Sequence, residues 1–353
     1  MFPGRVGRMI LDGVVDTDDY FAERGMLKNI GDMDKVFKEF WRSCRAAGPK
    51  ICSLAKLKHP QRRFWSLVWS LERNPWTMVT EDGNTIILTE DHLKSWVGKC
   101  MYAGHDSTSF CSTFLYEALA AESHTSHSPT APWAFPYVYN MYSGSRYDIP
   151  PNNSIPHEES IPHRRREMSS AVQCGDSPDL TNKSQFWWKA YVEKLARPSE
   201  LFGRYWASRR LPCASWPFKS NWRFTGPFTT PPSDPELKPG VPAAPLLFLS
   251  SRLDPVTPVE GARKMASRHP GAKLVIQESV GHGAIAADYS LCVQHIIADY
   301  MGTGKLPSKE TSCQQSCGYW DSNCTYEHPE LTPVRSWFME QQARQSFNDF
   351  ILG

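Results

Sequence analysis

Between Pro245 and Gly283 the apolar positions fall into two short, unbroken runs with a polar-faced stretch between them. Leu246 to Ser250 has strand length and follows prolines, the pattern of a strand buried on both faces in a parallel sheet. Lys273 to Glu278 (KLVIQE) repeats the pattern and predicts a second strand. Between them, Thr257-Pro258-Val259-Glu260 reads as a helix start, with threonine as cap, proline at the first helical position and glutamate closing a capping box. His269-Pro270-Gly271 ends that helix.

Elsewhere the pattern is mainly helical. Arg8 to Val15 predicts one more buried strand, and Asp32 to Cys44 a helix with Val36, Phe37, Phe40 and Trp41 on one side. Ala46-Ala47-Gly48-Pro49 stops that helix, and Cys44 and Cys52 flank the turn closely enough to pair. From Pro60 to about Val241 strands and helices do not alternate. Helices are expected over His92 to Ala103, capped by Thr89-Glu90-Asp91, and over Ser109 to Glu122, around Gln185 to Trp188, and from Leu201 to Trp206. His124 to Arg166, rich in Pro, Ser, Asn and His, reads as an exposed, disordered loop, and Pro217 to Pro242 as a proline-dense connector. Leu291, Val293, Ile296, Ile297 and Tyr300 predict a last core helix. The expected architecture is an α/β fold in four parts. These are a core remnant at 1–58, a helical lid at 59–241, the C-terminal core at 242–307 and a cysteine-containing tail at 308–353.

Charge and composition remove some function classes. With 39 basic and 37 acidic residues the 353-residue chain is nearly neutral, and Arg164 to Arg166 is too short a basic run to bind nucleic acid. No apolar run approaches membrane-spanning length, and Met1 leads into FPGRVGRMILDGVV without the apolar stretch of a signal peptide. Ten cysteines lean towards an oxidising compartment and disulfides, because Cys313, Cys317 and Cys324 lack histidines at metal-binding spacing. Asn152, Asn182 and Asn323 begin glycosylation sequons, which also arise by chance. The 13 tryptophans divide between core packing and an aromatic-lined pocket.

Candidate chemistry lies at two strand ends. Asp254 follows the first strand and His282 the second, and the carboxyl edge of an open α/β sheet is where sites are built. Taken singly, Asp254-Pro255 is an ordinary turn dipeptide and His282, between Gly281 and Gly283, a loop histidine. Together they give the second half of the Ser…Asp…His order of α/β hydrolases.

The segments MFPGRVGRMILDGVVD, FWRSCRAAGPKIC, AVQCGD, LFGRYWASRRLPCASWP, PLLFLSSRLDPVTPVEGARKM and SVGHG resemble the tripeptidyl-aminopeptidase-like α/β hydrolases with their TAP-like C-terminal domain. That resemblance covers Met1 to about Pro307 and implies Asp254 as the triad acid and His282 as the general base. It implies a peptide, amide or ester substrate under a helical lid and no cofactor. It also implies pairing of Cys174 with Cys213, and of Cys44 with Cys52. Members carry a G-x-S-x-G nucleophile elbow upstream of the MFP…LDGVVD segment. This chain contains no G-x-S-x-G, and Ser143-Gly144-Ser145 lacks the spacing. The expectation is therefore an α/β-hydrolase core lacking its N-terminal part, inactive without a serine. Secretion would follow if a longer N-terminus carried a signal peptide. Two other functions stand beside it: an ester- or thioester-cleaving enzyme of small-molecule biosynthesis, and a non-catalytic binding protein or relic.

Overall fold

The computed structural model describes residues 3–79, 85–102, 104–120, 161–230, 242, 244–316 and 318–321. The chain opens with β1 (Ile10–Asp12), a short helix α1 (Thr17–Tyr20), and α2 (Met33–Ala47). The strand expected over Arg8 to Val15 is thus only three residues long. Gly13 turns the chain at φ +66° immediately after it, and Val14 and Val15 leave the sheet to line a cavity.

A helical region follows: α3 (Pro60–Arg73), α4 (Glu90–Tyr102), α5 (His105–Ala120), α6 (Ile161–Asp176), α7 (Gln185–Ala196) and α8 (Gly203–Arg210). Between α3 and α4 lies an antiparallel hairpin, β2 (Trp76–Val79) with β3 (Thr85–Leu88), that the helical reading of this stretch did not include. Its strands are rich in β-branched and aromatic residues, which favour a pleated, half-buried surface over a helix. Helix α6 begins at Ile161, so residues 161–166 are helical and not loop; the rest of the loop expected from His124 lies outside the described residues. Phe37, Phe40, Trp41, Phe64, Trp96 and Phe114 form the centre of a large apolar cluster joining these helices. Disulfides Cys44–Cys52, Cys100–Cys111 and Cys174–Cys213 cross-link the region.

The α/β core then forms from β4 (Leu247–Leu253), α9 (Val259–Ser267), β5 (Lys273–Val280), α10 (Ala284–Ala287), α11 (Leu291–Thr303) and β6 (Thr311–Gln314). The sheet order is β1-β4-β5-β6 and every pair is parallel. Alternation along β4 explains why both faces are covered. Leu247 and Leu249, with Val275, meet Val293, Ile297 and Tyr300 of α11. Phe248, with Leu274 and Ile276, meets Val259, Ala262 and Met265 of α9. The Tyr300 hydroxyl accepts the Met9 N–H at 2.9 Å and lies 2.9 Å from the Pro245 carbonyl, tying β1 to the lead-in of β4. The sheet continues past residue 307, since β6 pairs with β5 and its Cys313 is bonded to Cys292 of α11.

Candidate active site

Asp254 stands just past the carboxyl end of β4 and is fully buried. Its Oδ1 accepts the N–H groups of Val256 at 2.9 Å and Thr257 at 2.7 Å, a turn in which the aspartate closes its own following backbone. Its Oδ2 accepts the Thr257 hydroxyl at 2.6 Å and the Gly283 N–H at 2.8 Å. The expected capping box does not form. Helix α9 starts at Val259 with Pro258 as its cap, and the Thr257 hydroxyl is drawn to the carboxylate instead.

His282 follows β5, and its Nδ1 lies 3.1 Å from both oxygens of Asp254 across 28 residues of sequence. Thr257 Oγ1 is also 3.1 Å from Nδ1. Because the single Thr257 proton goes to Asp254, the hydroxyl offers Nδ1 an acceptor, as the carboxylate does. Both neighbours therefore favour a proton on Nδ1, which puts the lone pair of the neutral ring on Nε2, the nitrogen that can act as a base. The imidazole lies against Gly13, where a Cβ would sit 2.8 Å from its Cε1, so a side chain there would displace the ring. Its other side meets the Tyr102 ring of α4, 4.5 Å between centroids, and the backbone N–H of His282 donates to the Tyr102 carbonyl at 3.0 Å. The helical region thus touches the histidine directly.

Electrostatics hold Asp254 in its ionised form. Burial pushes the Asp254 carboxyl up. The facing His282, the Gly283 N–H and the Thr257 hydroxyl more than offset this, and the net shift is downward. A carboxyl whose folded value is depressed contributes stability that is fully present above its unfolded value, 3.8, and lost as pH falls through the folded one. Wild type is accordingly expected to be more stable than Asp254→Asn at neutral pH, with the gap closing below about pH 4. Urea unfolding at stepped pH checks this; a gap that persists unchanged to pH 2 would show that the carboxylate's charge contributes nothing.

Sequence reasoning placed Asp254 and His282 and missed Thr257, Tyr102 and Asp12. The Asp-x-x-Thr spacing was the available signal for Thr257. Asp12, at the end of β1, repeats the strand-end placement of Asp254 but was read only as part of a strand. Thr257→Val is expected to cost about 1–3 kcal/mol, because it leaves a buried carboxylate oxygen short of a donor. Equilibrium unfolding checks it, and a cost below about 0.5 kcal/mol would mean the hydroxyl is idle. Next to the Thr257 turn lies a cavity of about 400 Å³, bordered by Val14, Val15, Asn29, Val256, Thr257 and Glu260; neither Asp254 nor His282 lines it. At its polar edge Lys28 pairs with Asp16 at 2.7 Å and Lys35 with Asp32 at 2.5 Å, so the wall is close to charge-balanced. Among the described residues no His, Cys, Asp and Glu cluster could hold a metal ion, and no helix is long and apolar enough to cross a membrane.

A parallel sheet with helices on both faces, and an Asp–His pair at its carboxyl edge, is the architecture of an α/β hydrolase. Residues 199–313 match the family model described as TAP-like protein, and in that segment the chain is similar to TAP-like α/β hydrolases. It is 27% identical over 149 residues to a tripeptidyl aminopeptidase of Streptomyces lividans, covering 41% of this chain and 24% of that protein. The tripeptidyl aminopeptidase of Streptomyces coelicolor matches to the same extent. The putative hydrolase YuaR of Escherichia coli is 25% identical over 329 residues, covering 91% of this chain and 56% of YuaR. The chain therefore spans about a quarter of the aminopeptidases it matches and little more than half of YuaR.

Proposed function

We propose that Asp254 and His282 are the acid and general base of a serine-type hydrolase that cleaves an amide, peptide or ester bond. The observation that carries this reading is the His282 Nδ1 position, 3.1 Å from both oxygens of a buried, ionised Asp254. In such a site Nε2 takes the proton from a serine hydroxyl as it attacks the carbonyl, and returns it to the leaving amine or alcohol. Asp254 holds the tautomer and stabilises the imidazolium formed in between. The aminopeptidases among the relatives favour a peptide substrate. The helical region, whose Tyr102 packs on His282, serves as the lid over such a substrate.

The reading takes its nucleophile from sequence outside these 353 residues, since no G-x-S-x-G occurs within them. The test is to isolate the protein from its source with antibodies against the α9–α11 segment and treat it with a fluorophosphonate probe. Labelling of a serine in the same polypeptide is the expected result. An isolated protein that comprises these residues alone, takes no label and cleaves neither peptide amides nor esters would overturn the reading and favour a binding role.

A further inference from the structure

We propose that Asp12 is a positioning residue for His282, fixing the backbone that carries the imidazole. The inference rests on the reading of Asp254 and His282 as acid and base, and concerns how that pair is held together. Asp12 ends β1, the strand beside β4, so its carboxylate projects from the same sheet edge as Asp254. Its Oδ1 accepts the Ala284 N–H at 2.6 Å and its Oδ2 the Ile285 N–H at 2.9 Å. Asp254 accepts the Gly283 N–H. Two carboxylates on adjacent strands thereby take up the three consecutive amides that follow His282.

That arrangement does what the local chain cannot. Helix α10 has only four residues, too few to sustain itself, so its first turn needs outside acceptors. Gly283 has φ +71°, and a Cβ there would lie 3.2 Å from Asp12 Oδ2; the missing side chain lets the carboxylate reach the amides. Any rotation of this turn swings Nδ1 away from Asp254, because the histidine is attached one residue before the pinned amides. Holding the turn could in principle be a purely structural task. A carboxylate is a costly choice for that alone: burial pushes Asp12 up, and Asp254 adds to the rise. The two amides and the facing His282 offset this only in part, and the net shift is upward. A negative charge here also favours the imidazolium that the histidine must carry transiently.

The test uses the chain as it stands and needs no turnover. Diethyl pyrocarbonate modifies the unprotonated imidazole, and the His282 side chain is 24% exposed. Modification of His282, followed by peptide mass spectrometry from pH 5 to 8, reports where the ring loses its proton. The groups facing it are Asp12 from β1, Asp254 and Thr257 from the β4–α9 turn, and Tyr102 from α4. Asp12→Asn keeps one acceptor but removes the charge. It is expected to move the half-modified point down by about half a pH unit or more, with Asp254→Asn moving it further. Where Asp12→Asn does not fold, Asp12→Ser carries the same expectation. An Asp12 variant that loses thermal stability while its His282 profile stays at wild type would overturn the inference and leave Asp12 a structural pin. If Asp254→Asn also leaves the profile unmoved, the acid–base reading itself fails.

Discussion

Turnover by the polypeptide that carries both the pair and its nucleophile is expected to fall about 10⁴-fold when Asp254 becomes asparagine, the scale of that exchange in a Ser-His-Asp triad. The physical reason lies in the hydrogen-bond directions. Asparagine can turn its amide towards Nδ1, which places a donor against a nitrogen that must itself donate, and the ring then carries its proton on Nε2. A base with its lone pair facing inward cannot take the serine proton. Steady-state kcat/KM on a peptide-amide substrate is the measurement. A loss below about tenfold would mean that His282 is oriented by Thr257 and Tyr102 alone. Asp254→Ala differs in kind, since it strands the Val256, Thr257 and Gly283 N–H groups in a buried site. It is expected to cost several kcal/mol of stability as well.

The second large effect is structural. Cys174 on α6 and Cys213, in the turn after α8, are both fully buried and close a loop with a sequence separation of 39. Chain entropy puts the stabilisation from such a loop at about 4 kcal/mol. The double replacement Cys174→Ala with Cys213→Ala should lower the urea midpoint accordingly. Beyond closing the loop, the bond anchors a neighbourhood in which Lys219 donates to the Cys174 carbonyl at 3.2 Å and Arg223 to the Asp176 carbonyl at 2.6 Å. A loss under about 1 kcal/mol would show that these contacts and the apolar cluster hold the helices without it.

Strands β4 and β5 were legible because each carried a continuous apolar run of the kind a strand buried on both faces shows. Their carboxyl ends then located Asp254 and His282 without any contact information. Three features were hidden for specific reasons. Thr257 looks like a helix cap in sequence, and only the approach of a buried carboxylate redirects its hydroxyl. Asp12 gains its role from residues 284 and 285, more than two hundred and seventy positions away, and no local pattern links them. Tyr102 meets the histidine because α4 ends against the His282 turn, a matter of helix packing. Among cysteines the contrast is similar. Cys44–Cys52 straddles a Gly-Pro turn that reads directly, whereas Cys100–Cys111 needs the corner between α4 and α5, and Cys292–Cys313 needs β6 in the sheet.

The central claim is that buried Asp254 sets the protonation geometry of His282. Nitrogen-15 NMR of the chain labelled at histidine tests it directly, because the two ring nitrogens report which one carries the proton. The account predicts that neutral His282 holds its proton on Nδ1, with Nε2 bare, and that Asp254→Asn abolishes this preference. A neutral wild-type His282 protonated on Nε2 would contradict it, since the pair would then lack a base facing the substrate.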